Sequence, residues 1–208
     1  MLAATRVYLE VGRTWTFAAA VDWPGWCRRG RGEEGALDAL VDYTDRYAAV
    51  AGPDFAPGEL HVVGRPPGTS TTDFGAPDAR GPWDDEPLPA AEAFRLAGLL
   101  EASWQAFDAV MAGAPAELRK GPRGGGRDRD GVADHVREAE RSYGRKIGVR
   151  LPPRTPWPAR GLRAGAGRRC SGRLVAGALR RAALSPGMCS TMRGRSRTRA
   201  PEARGDRR

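Results

Sequence analysis

Only two histidines occur in this chain, His61 and His135. His135 stands in the stretch D-G-V-A-D-H-V-R-E-A-E-R-S-Y-G-R-K-I-G, residues 130–148. Val132, Val136, Ala139 and Tyr143 recur at spacings of three and four around it, so it lies on the apolar stripe of an amphipathic helix. An imidazole in that position is either a packed core side chain or a metal ligand pointing into a helical bundle. Glu138, three residues on, could be a second ligand. With Glu140 it also reads as part of a solvated, charged face. A zinc centre takes about three or four protein ligands, so His135 alone makes no competent site. His61, in E-L-H-V-V, reads as an ordinary strand residue, with no Ser-His-Asp arrangement around it. Cys27 precedes Arg28 and Arg29, which would lower a thiol pKa; without a paired histidine it reads as a plain thiol. Gly124-Gly125-Gly126 has neither the preceding strand nor the G-K-[ST] ending of a phosphate loop and reads as a flexible connection. Trp15, Trp23 and Trp26 beside Arg28, Arg29 and Arg31 could stack on and clamp a nucleic acid. The competing reading is core and turn aromatics next to a solvated loop.

The elements that would position these residues follow from periodicity. Residues 6–11 and 15–21 alternate and are joined by Gly12-Arg13, which predicts a hairpin with Trp15, Phe17, Ala19 and Val21 on one face. Pro24 and Gly25 are turn residues that break the second strand. Glu33 to Val50 reads as one helix with Leu37, Leu40, Val41, Thr44, Tyr47 and Ala48 inward, stopped by Gly52-Pro53. Residues 59–63 give a third strand. Residues 64–89, rich in Gly, Pro, Ser, Thr and Asp, predict a long loop and a domain boundary. Residues 90–112 are the clearest helix, with Leu96, Leu99, Leu100, Ser103, Phe107, Val110 and Met111 on one side and Trp104 at its edge. After a Gly-rich connection comes the His135 helix.

Charge divides the chain. The net charge is +9, yet residues 151–208 contribute +13, from 15 Arg against one Glu and one Asp. Residues 1–150 therefore carry −4. A block of like charge reads as a disordered tail that binds polyanions without specificity. Three cysteines with no C-x-x-C argue against a disulfide scaffold and fit a reducing cytoplasm. No apolar run is long enough for a membrane span, and the N-terminus lacks a signal-peptide pattern.

Two stretches resemble known families. Phe17 to Leu40, F-A-A-A-V-D-W-P-G-W-C-R-R-G-R-G-E-E-G-A-L-D-A-L, resembles the HicB-like small α/β fold. Asp22, Pro24 and Gly25 fit its turn, and Gly32, Glu33 and Glu34 its helix start, with Gly35 where Ala is usual. The resemblance covers about 60 residues and implies a module that holds a protein partner, as HicB-like antitoxins do. The helix with Trp104, the Gly-rich loop and H-V-x-E-A-E resemble the first half of a DinB-like (YfiT-like) four-helix bundle. That resemblance implies a divalent metal, Zn or Ni, held by three histidines, with hydrolase or thiol-transferase activity. His135 would be the first ligand; the H-x3-H pair that supplies the others is absent, because no histidine follows residue 135.

The tail suggests where that pair went. Met188 and Met192 are four apart, and methionine has the single codon ATG. Shifted by one base, each yields His if the codon of Gly187 or Thr191 ends in C, and the Met188–Cys189 junction yields Val by necessity. With permissible codons the segment reads W-H-V-L-D-H-A-W-E-I-E-D, an amphipathic helix with H-x3-H. The expectation is a C-terminal part translated in a shifted frame from an ancestral DinB-like gene; the coding DNA at Gly187 and Thr191 decides it.

The expected fold is α+β. A hairpin–helix–strand unit (1–68, HicB-like) precedes a linker (69–88), an antiparallel helical pair that is an incomplete four-helix bundle (89–150, DinB-like), and a disordered Arg-rich tail (151–208). Two helices bury their stripes less well than four, so the pair should pack on the N-terminal unit, dimerise or be marginal. Three functional readings stand: a DinB-like metal protein incomplete in this chain, a HicB-like non-catalytic module for a protein partner or homodimer, and a nucleic-acid binder acting through its tail.

Overall fold

The computed structural model describes residues 4–120, 126–146 and 150. The Arg-rich tail, Gly124, Gly125 and the frame-shift segment lie outside these residues. Four strands, β1 (Thr5–Val11), β2 (Thr16–Ala20), β3 (Cys27–Gly30) and β4 (Leu60–Gly64), form one sheet in the order β3-β2-β1-β4. With them are helices α1 (Gly32–Val41), α2 (Thr44–Ala51), α3 (Ser70–Phe74), α4 (Ala90–Gly113) and α5 (Arg129–Lys146). The fold is α+β.

β1 and β2 make the expected hairpin, with Val7 opposite Ala20 and Val11 opposite Thr16. β3 is an element that alternation did not reveal, because C-R-R-G carries no apolar period. Its signal was the turn before it. Trp26 N–H donates to Trp23 C=O at 3.0 Å, with Pro24 second and Gly25 third at φ 98°. Proline followed by a positive-φ glycine is the chemistry of a type II turn, and it returns the chain along β2. α1 then crosses the sheet to β4, which runs parallel to β1, as a crossover connection requires.

Both faces of the sheet are filled. On one, Val7, Leu9, Ala18, Ala20 and Trp26 meet Ala36, Leu40, Tyr47, Phe55 and Leu99 from the helical side. Trp26 is its hub. The indole donates to Leu40 C=O at 3.0 Å and packs edge-on to Phe55 at 5.1 Å and beside Tyr47 at 6.1 Å. That bond also explains why one expected helix, 33–50, is two. Leu40 C=O takes the indole N–H and the Tyr43 N–H together, closing a tight turn where the next helical bond would form. Val41, expected inward, is 55% exposed at this break. Gly30 permits α1 to start against β3, since a Cβ there would stand 2.0 Å from Gly35 C=O oxygen.

The opposite face, Tyr8, Phe17, Ala19, Val21 and Cys27, is covered by residues 69–84. This segment was expected to be linker, and it packs instead as a strap on the sheet. Thr69 caps α3, its hydroxyl accepting from Thr71 N–H while Thr72 hydroxyl accepts from Thr69 N–H. Trp83 stacks on Tyr8 with centroids 4.8 Å apart. Gly64 leaves it room: a Cβ there would be 2.7 Å from the indole. Composition hid the strap, because its anchors are threonines, one tryptophan and a carboxylate from β1.

That carboxylate is Glu10, which is fully buried. Thr72 hydroxyl and Asp78 N–H donate to its Oε1, and Ala79 N–H donates to Oε2 at 2.9 Å. A second carboxylate fastens the strap to the β1–β2 turn: Asp73 accepts from Thr14 N–H at 2.8 Å and from Arg13 at 3.3 Å. The Thr14 N–H, then Arg13, hold its carboxyl below the usual range. A depressed folded pKa adds stability that is complete above the unfolded value of about 4 and is lost as pH falls through the folded value. Asp73→Asn is therefore expected to flatten the acid limb of the stability curve below about pH 4, measured by denaturant midpoints across pH.

α4 packs against α2, burying Leu96 and Leu99. Arg95 ties this junction. Its guanidinium lies 4.5 Å from the Trp23 ring and donates to Asp22 C=O. Asp22 in turn takes Arg6, which also reaches Glu86 at 2.9 Å. Of the helical pair, α4 packs on the N-terminal unit.

Candidate functional site

His135, singled out by the sequence, lies on α5. α5 pairs with α4, and Trp104 indole N–H donates to Glu140 Oε1 at 2.6 Å, joining the middle of one helix to the other. Trp104, expected at the edge of its stripe, is buried at 8% exposure. His135 is half-buried on the same helix, together with Val132, Val136, Ala139 and Tyr143. Glu138 is exposed and pairs with Arg141 at 2.9 Å, as the solvated-face reading expected. Among the described residues no group of three or more His, Cys, Asp or Glu comes together that could hold a metal ion. His135 is thus half-buried on α5, with no such group around it among the described residues.

The other candidates fall apart in space. His61 is exposed on β4, opposite Arg6 of β1. Cys27 is buried at 4% exposure on the strap-covered face, where Arg28 and Arg29 cannot make it a reachable nucleophile. Gly126 is exposed, at φ 140°. The three tryptophans separate: Trp26 is in the core, Trp23 sits under Arg95, and only Trp15 stays with the arginines. Tyr47, a further buried hydroxyl, donates to Pro24 C=O at 3.0 Å. Burial pushes its phenol well above the ordinary range, so it serves as a neutral structural donor. No family model, curated protein or solved structure matches the chain.

Among the described residues, β3 and β4 are the edge strands of the sheet. β4 pairs with β1 on one side alone, and along it His61 and Val63 are exposed, Val63 at 37%. A register shift between Val7 and Tyr8 gives β4 one extra residue there. The β3 edge is different in kind. Arg29 lies 4.5 Å and Arg31 5.5 Å over the Trp15 ring, and Arg28 lies over Tyr43. Open strand edges present unpaired backbone groups and are natural templates for another chain. The sequence did not point to them, because β3 was hidden and β4's position at an edge depends on the crossover. Among the described residues no helix is long and apolar enough to cross a membrane.

Proposed function

We propose that this chain is a non-catalytic protein-interaction module of HicB-like design, working in the cytoplasm, whose sheet takes up a partner by strand addition. The observation that carries this reading is the sheet itself. Both of its faces are filled by its own helices and strap, while among the described residues no further strand pairs with β3 or β4. Main-chain hydrogen bonds to an edge supply affinity, and alternate side chains supply selectivity. The hairpin, α1 and β4 also follow the hairpin–helix–strand order that the resemblance implies, with β3 added between hairpin and helix. The partner is another protein or a second copy of the chain. The β4 edge, neutral around Leu60, Val62 and Val63, suits a second copy. A photo-crosslinking residue placed at His61 or Arg29 in cells is expected to trap protein, whereas one at exposed Phe74 on the strap is not. Crosslinks from Phe74 alone, or to nucleic acid alone, would overturn the reading.

The Trp104–Glu140 bond favours a second, historical reading of the helical pair. In that reading the half-buried His135 is a relic of DinB-like ancestry whose remaining ligands are encoded in another frame. Codons for Gly187 and Thr191 that both end in C are expected; any other ending at either position removes this reading.

A further inference from the structure

The β3 edge carries an inference about the kind of partner, and it rests on the strand-addition reading above. Ala20 N–H donates to Trp26 C=O at 2.9 Å, which fixes the phase of the β2–β3 ladder. Bonded and non-bonded pairs alternate in an antiparallel ladder, so Arg28 and Gly30 bond back to β2. Arg29, opposite Phe17, turns its N–H and C=O outward. One adjacent outward group is already engaged: Cys27 C=O accepts from Arg28's own guanidinium at 2.9 Å. Arg29 is therefore the place on this edge where an incoming backbone exchanges bonds.

Charge selects what comes in. Arg29 and Arg31 share the Trp15 ring, and neither belongs to an ion pair among the described residues. A ring face holds a guanidinium in place without neutralising it. Arg13 projects from the neighbouring turn, 93% exposed, with Asp73 as the carboxylate beside it. A second copy pairing β3 to β3 would set these arginines against one another, which is unfavourable. A nucleic acid has no peptide N–H and C=O with which to continue the ladder at Arg29. A short acidic peptide supplies both the backbone and the carboxylates. We propose that the β3 edge receives an extended acidic peptide segment, its backbone bonded at Arg29 and its carboxylates paired with Arg29 and Arg31.

The test uses the whole chain and a labelled eight-residue peptide alternating Glu and Val, with a Lys–Val peptide and an eight-nucleotide thymidine strand as comparisons. Residue-resolved amide exchange is read, because it separates the edge from binding by the Arg-rich tail. The Glu–Val peptide is expected to slow exchange of the Arg29 amide at least tenfold at low salt. The Lys–Val peptide and the thymidine strand should leave it unchanged, and Arg31→Gln should abolish most of the protection. An Arg29 amide that is unaffected, or protected equally by the thymidine strand or in Arg31→Gln, would overturn the proposal. Crosslinks from His61 with no protection at Arg29 would remove this inference and leave strand addition standing.

Discussion

Glu10→Ala is expected to be among the most damaging single substitutions in the chain, although the residue does no chemistry. Its carboxylate accepts from Thr72 hydroxyl and from the Asp78 and Ala79 amides in a fully buried position. Removing it leaves three donors without their acceptor, and a buried unsatisfied group costs about 1–3 kcal/mol. With partial access of water to the vacated space, the net loss should be roughly 3 kcal/mol, or roughly 6–12 °C in melting temperature for a chain this size. The strap should also loosen before the sheet, so limited proteolysis should cut first within residues 69–81. Thr72→Val removes one donor to Glu10 and the acceptor of Thr69 N–H but leaves the two amide bonds to Glu10, and should cost about 1–2 kcal/mol. Equal effects of the two substitutions, measured by denaturant midpoints, would mean that Glu10 does not pin the strap.

Trp26→Ala is the matching expectation on the other face. Trp26 is 1% exposed and touches Tyr47 and Phe55 while bonding to Leu40 C=O. Truncating a buried tryptophan costs about 3–5 kcal/mol in transfer and cavity terms. Trp26→Phe should retain most of the packing and lose only the indole N–H. Leu40 C=O keeps the Tyr43 N–H, so the cost should fall to about 1 kcal/mol. A Trp26→Ala chain within about 1 kcal/mol of the parent in urea would place the hub of this core elsewhere.

These two residues also mark what the sequence made legible. Alternation in residues 6–11 and 15–21 announced the β1–β2 hairpin, and the 3.6-residue period announced α4 and α5. Glu10 is one of the polar positions in that alternation, and in a one-sided sheet such positions face solvent. This sheet is two-sided, and what covers its second face is a segment with no periodic signal. The strap is held by capped threonines and a stacked tryptophan, whose partners are distant in sequence, so local pattern could not find it. β3 failed for a related reason: an edge strand of charged residues carries no hydrophobic period, and only the Pro24-Gly25 turn hinted at it. The split between α1 and α2 depends on one tertiary bond, Trp26 to Leu40, with no local signature.

The site followed the same division. Helical spacing placed His135 on the apolar stripe of α5, where it is half-buried. Spacing along one helix says nothing about side chains from other elements, and the described residues bring no ligand set to it. The open edges emerged only from topology, since β4 becomes an edge because α1 carries the chain across the sheet to the far side of β1.

Metal content is the measurement that separates a binding module from a working metal centre. The 208-residue chain would be purified, equilibrated with zinc or nickel, freed of loosely held ions and assayed by mass spectrometry. The expected result is well below one ion per chain, unchanged by His135→Ala. One tightly held ion per chain, lost in His135→Ala, would contradict it.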